Sequence, residues 1–139
     1  MGGKQLFDLV GKVAVVTGGS RGLGLQMAEA LGEMGARIAI TARKKDELED
    51  AVAHLKNLGI AATPYVSDLG QLEQVEPLAA AIMAKFGTAD ILVNIAGSTW
   101  GSSAAAHPLE GWDTLVNRNL TRPVLLPTLV PQAPVLHAR

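Results

Sequence analysis

The chain has 139 residues, 48% of them hydrophobic and 18% charged, with a formal net charge of −1 and no cysteine. That length suits one domain able to bury roughly 68–70% of its unfolded surface, and the composition is too apolar for disorder. The charge balance offers no field for a nucleic acid or an anionic membrane. The lack of cysteine excludes a disulfide framework, a cysteine-ligated zinc site and a thiol nucleophile, and points to a reducing cytoplasm.

Taken in chain order, the first strong signal is KVAVVT (12–17), a short apolar β-branched run that predicts a buried strand. The residues before it lack a signal-peptide core, and no stretch approaches the ~18 apolar residues of a membrane span. A glycine-rich turn follows at once and opens a helix whose apolar face is expected at Leu23, Met27, Ala30, Leu31 and Met34, with Gly35 as its stop. RIAIT (37–41) predicts the second strand, and Leu48, Val52, Leu55 and Leu58 the second helix, closed by Gly59. The opposite face of that helix carries KKDELED, which reads as a solvated charged surface. ATPYVS (62–67) predicts a third strand, in which Pro64 suits an edge strand or a strand start. Leu72, Val75, Leu78, Ala79, Ile82 and Phe86 predict the third helix before Gly87, and DILVN (90–94) the fourth strand. Strands alternating with helices imply right-handed parallel crossovers. The expected fold class is α/β, a Rossmann-type doubly wound parallel sheet of about four strands in order 3-2-1-4, with ligands at the carboxyl ends of strands 1 and 4.

The glycine turn suits a phosphate. Gly18 permits a tight turn, Gly22 lets the backbone approach a ligand, and Gly24 lets the helix pack close to the sheet. Ser20, Arg21 and Leu23 complete a cradle at the helix N-terminus, where unpaired N–H groups and the helix dipole favour a pyrophosphate. The charge after the second strand indicates which dinucleotide. An acid there binds a ribose 2′-hydroxyl, whereas cations bind a 2′-phosphate. The strand ends in Thr41, Ala42, Arg43 and Lys44, with no acid before Asp46, and Arg21 can approach the same point. A guanidinium matches a phosphate with paired hydrogen bonds, so NADP(H) is favoured over NAD(H).

With Thr17 in front, the turn resembles the TGxxxGxG fingerprint of the short-chain dehydrogenase/reductase family. GKVAVVTGGSRGLG, SDL after strand 3 and ILVNIAG at strand 4 stand where that family has them, over residues 7 to about 122. TARK and GSTWG are most similar to gluconate 5-dehydrogenases and 3-oxoacyl-carrier-protein reductases. The resemblance implies hydride transfer between the cofactor and a hydroxyl or carbonyl substrate, a sugar acid such as gluconate being the first choice, in a homo-oligomer. It also implies that Asp68 accepts from the adenine amino group and that Leu69 lines the adenine pocket. Asn94, Ala96 and Gly97 would pass the ribose and fix the central strand, with Ile95 in place of the commoner Asn. Asp68 equally suits a cap for the helix expected near Gly70.

The family's proton donor is a tyrosine with a lysine four residues on, helped by a serine. Here the one tyrosine, Tyr65, is followed at that spacing by Leu69, and only Asn119 in VNRNL matches the catalytic set, as holder of a relay water. His54, His107 and His137 have no partners at metal-ligand spacing, so no metal is expected. Pro123, Pro127, Pro131 and Pro134 fall in the last 17 residues, and the helix expected after Asn119 should fail by about Pro127. These observations divide the chain into a dinucleotide-binding domain at 1–122 and an irregular proline-rich tail at 123–139. The expected protein is a family member cut short or frame-shifted, native-like to about Leu126 and inactive as the isolated chain. The alternatives are a non-catalytic nucleotide-binding or interaction module and a product that does not fold stably.

Overall fold

A computed structural model describes residues 2–129. The expectations attached to Pro131, Pro134 and His137 lie outside the described residues. The first strand, β1 (Val13–Thr17), is buried at all five positions, as a strand covered on both faces must be. It pairs in parallel with β2 (Arg37–Ala42) on one side and β4 (Ile91–Asn94) on the other, so Thr17 lies level with both Thr41 and Asn94. Outside β2 runs β3 (Ala62–Val66), completing the order β3-β2-β1-β4. Pro64, which has no N–H to give a ladder, sits on this edge strand opposite Ile40. The β1 and β4 starts are clamped by Asp90: its carboxylate accepts the Val13 N–H at 2.8 Å, and its own N–H donates to the Val13 carbonyl at 2.9 Å.

After a four-residue helix, α1 (Gly3–Leu6), the crossovers are α2 (Gly22–Glu33), α3 (Lys45–Asn57) and α4 (Val75–Phe86). Alternate strand residues feed two cores. Ala14, Val16, Ile38 and Ile40 pack with α2 and α3 through Ala28, Leu48, Ala51 and Leu55. Val15 and Ala39 pack with α4 through Val75, Leu78, Ala79 and Ile82. The face expected for α2 is displaced. Leu23 and Met34 are 58% and 46% exposed, while Gly24 and Ala28 are the buried positions. The reason is steric: a Cβ on Gly24 would strike the Gly18 carbonyl of the glycine turn and one on Gly32 would strike the Ile60 side chain before β3, so this face of α2 lies too close to the chain beneath it for large side chains.

The C-terminal part also departs from expectation. From Leu109 to Leu129 the described chain is helical: α5 (Leu109–Val116), a π turn over Asn117–Thr121, and α6 (Arg122–Leu129) with Pro127 inside it. Residues 123–129 are therefore not irregular, and the helix does not fail at Pro127. The wider π turn falls just before Pro123, where an α turn would bring the proline ring against the Asn119 carbonyl. Pro127 has no N–H for the Pro123 carbonyl, and that carbonyl instead accepts from Asn94 Nδ2 at 3.2 Å. Packing holds the segment in place, because Leu126 is wholly buried in the core formed with Val15, Ala79 and Ile82. Leu126→Ala should lower the unfolding free energy by about 2–5 kcal/mol in a denaturant titration. A loss of only a few tenths would mean that α6 is not docked on α4.

Candidate functional site

The parallel pairing of β1 with β2 and β4 brings three strand ends to one level, and the loops beyond them form a cleft of about 350 Å³. At the end of β1 the buried Thr17 hydroxyl accepts the N–H groups of Ile95 and Ala96 at 3.1 and 3.2 Å and lies 3.3 Å from the Val93 carbonyl, to which it donates. This fixes the loop after β4 against the end of β1. Gly18 turns the chain at φ +70, and a Cβ there would stand 3.0 Å from the Ala96 nitrogen. The N–H groups of Gly18 and Gly19 both go to the Thr41 carbonyl, tying the turn to β2. Gly22 has φ +54, and nothing lies within 4 Å of the point a Cβ would occupy, so its exposed face opens into the cleft.

The N-terminus of α2 meets the cleft unblocked. Arg21 at the N-cap is extended and supplies no side-chain cap, and the first turn contains no acid. The first N–H groups of a helix have no partner within it, so this end presents donors and a positive dipole end. Around the adjoining wall, Lys44 Nζ bonds Glu47 Oε1 at 2.8 Å, Arg21 approaches the same oxygen at 3.9 Å, and Ser20 Oγ donates to Glu47 Oε2 at 3.3 Å. The Lys44 hydrogen bond, followed by the charges of Lys44 and Arg21, holds the Glu47 carboxyl below its ordinary range against an opposing desolvation effect. Its interactions with these cations persist at neutral pH and fade only as the pH falls through that lowered value.

Of the residues singled out from sequence, Gly18, Ser20, Arg21, Gly22, Arg43, Asp68, Leu69, Ala96 and Gly97 line this cleft together. Leu23, Gly24, Asn94 and Asn119 stand outside its lining. Gly24 packs beneath Gly18, and Leu23 projects to solvent. Asn94 reaches across to the Pro123 carbonyl. Asn119 clasps the backbone of Ser98 in both directions, accepting its N–H and donating to its carbonyl at 2.9 Å each. Asp68 shapes its own turn: Oδ1 accepts the Gly70 N–H at 2.8 Å, while its carbonyl accepts from Gln71. The helix there begins as a 3-10 turn at Leu72–Gln74 rather than at Gly70.

Three participants are not evident from sequence. Thr17 stands out there only as the front of a fingerprint. Glu47 reads as one acid of the solvated face KKDELED, and Arg118 carries no signal between two asparagines. The Arg118 guanidinium is half-buried at the cleft wall, within 2.9 Å of where a Gly70 Cβ would stand. Thr17→Val removes the acceptor of two amides, at a cost of about 1–3 kcal/mol for each one left buried without a partner. Amide exchange at Ile95 and Ala96 should accelerate at least tenfold in the variant. Unchanged exchange would show that the hydroxyl does not hold the loop.

The family model for the short chain dehydrogenases matches residues 12–133, beyond the limit near 122 expected from the motifs and into the proline-containing tail. The rhamnolipid-biosynthesis 3-oxoacyl-[acyl-carrier-protein] reductase of Pseudomonas aeruginosa is 39% identical over 116 residues, 83% of this chain and 44% of that protein. The 2-dehydro-3-deoxy-D-gluconate 5-dehydrogenase of Formosa agariphila is 39% identical over 123 residues, 88% of this chain and 47% of its own length. Among solved structures, the Pseudomonas aeruginosa RhlG/NADP complex superposes with a TM-score of 0.84 at 35% identity, over 89% of this chain and 48% of that one. The chain thus spans about half the length of the relatives it matches. With Gly18 and Gly22 of the fingerprint in left-handed backbone, the 3-2-1-4 sheet behind them and a family match over most of its length, the chain belongs to the short-chain dehydrogenases.

Proposed function

We propose that these residues form the NADP(H)-binding half of an oxidoreductase that moves hydride between the nicotinamide and a hydroxyl or carbonyl substrate, with a sugar acid such as gluconate as the substrate class. The observation that carries this reading is the open, left-handed Gly22 at the uncapped, acid-free N-terminus of α2. Such an end suits a pyrophosphate, because backbone donors and the dipole act on the same point and no side chain competes for it. The hydroxyls of Thr41 and Ser67, buried at the cleft wall without partners among the described residues, add polar capacity consistent with a bound group. NADP in the RhlG complex supports the same class of cofactor.

When bound, the nicotinamide supplies or takes up the hydride. The chain's part is to hold and orient it. The α2 amides with Ser20 would take the pyrophosphate, Asn94, Ala96 and Gly97 the ribose side, and Asp68 with Leu69 the adenine. Arg43 and Arg21 would meet the 2′-phosphate, a preference over NAD(H) that rests on their charge. Asn119, by gripping Ser98, would set the loop beside the reacting end, and its role as holder of a relay water rests on the family resemblance. Tyr65 is unsuited as the proton donor: burial in β3 raises its pKa, and its hydroxyl has no partner among the described residues. The 139 residues therefore bind the cofactor without turning it over. The proposed setting is the cytoplasm, with the homo-oligomer a property of the intact family.

Arg43→Asp should weaken NADPH binding by about 10- to 100-fold, the worth of charged hydrogen bonds to a phosphate, and leave NADH within a few-fold. Calorimetric titration of both nucleotides reads the difference. Equal losses would remove the 2′-phosphate assignment.

A further inference from the structure

We propose that Glu47 is a resident counter-anion that decides how strongly the cleft prefers a 2′-phosphate over a free 2′-hydroxyl. The proposal rests on the dinucleotide reading of the cleft. Sequence alone places no acid at the end of β2, where discrimination against a phosphate is usually made. The fold supplies one from the first turn of α3 instead. Glu47 lines the cleft with Arg21, Arg43 and Lys44, and its side chain is only 26% exposed while those of Arg21 and Lys44 are 76% and 63% exposed.

Its contacts are those a phosphate would use. One carboxylate oxygen takes Lys44 and faces Arg21; the other takes the Ser20 hydroxyl. Arg43, by contrast, makes no ion pair among the described residues. Glu47 therefore neutralises part of the cationic wall and leaves Arg43 to act alone. A 2′-phosphate entering this wall must displace Glu47 from Lys44 and Arg21 or bear its repulsion. A 2′-hydroxyl can instead donate to the same carboxylate, so Glu47 penalises NADP(H) and assists NAD(H).

A purely structural role is the alternative, since an acid in the first turn of a helix is favoured by the dipole. Asp46 shares that first turn but is exposed and does not line the cleft, so it separates the two roles. The test titrates the wild-type chain, Glu47→Gln and Asp46→Asn with NADPH and with NADH by calorimetry, with thermal melts of each protein. Glu47→Gln should tighten NADPH by about tenfold and weaken NADH by about threefold, whereas Asp46→Asn should shift the two equally or not at all. Glu47→Ala, which also loses the hydrogen bonds, must move the NADPH affinity in the same direction, and it stands in if the Gln variant melts early. If both nucleotides bind and the Glu47 variants leave the ratio of their affinities unchanged, Glu47 is not the discriminator and the dinucleotide reading survives. If the folded wild type binds neither, both readings fall.

Discussion

The site depends on one hydroxyl at the end of a buried strand. Thr17 takes two backbone N–H groups from the loop after β4 while its own residue continues into the glycine turn after β1. Two loops more than seventy residues apart are thereby fixed side by side at the switch point of the sheet, where open α/β folds bind their ligands. Gly18 completes the junction, because its backbone is left-handed and a Cβ on it would crowd the Ala96 nitrogen at 3.0 Å. Everything proposed for the cleft, from the direction of the α2 amides to the reach of Arg43, presupposes that these loops keep their spacing.

Around this junction the positive charge is partly balanced within the protein. Three cations line the wall at the end of β2, and one anion, Glu47, engages two of them. Exposed pairs of this kind add little to folding stability, usually well under about 1 kcal/mol. Their effect is on the ligand: a wall partly satisfied by its own carboxylate holds its side chains in place while binding a phosphate less strongly than its composition suggests.

Strand order, the edge position of β3 and the glycine turn are legible in the sequence because each rests on a local rule: short apolar runs alternating with helical periods, proline's missing N–H, or glycine's access to positive φ. What is not legible depends on distance. Apolar periodicity misplaces the α2 stripe because it cannot show that the helix comes close to the glycine turn at Gly24 and to Ile60 at Gly32 while Ala28 packs in the core. Pro127 reads as a helix breaker, yet the carbonyl it orphans finds Asn94, twenty-nine residues before Pro123, and Leu126 anchors the turn in the core. Glu47 looks like one acid of a solvated run, since only the crossover from β2 to α3 brings it to Ser20 and Arg21. Arg118 reaches the cleft from a π turn that no sequence period announces.

The central claim is that the chain holds a dinucleotide across the ends of β1, β2 and β4. Amide chemical-shift mapping of the isotope-labelled protein during titration with NADP+ tests it most directly. The account predicts saturable shifts concentrated at Gly18 to Gly24, Thr41 to Lys44, Asp68 to Gly70 and Ile95 to Gly97. Shifts gathered elsewhere, or none with the protein folded and the nucleotide at millimolar concentration, would contradict it.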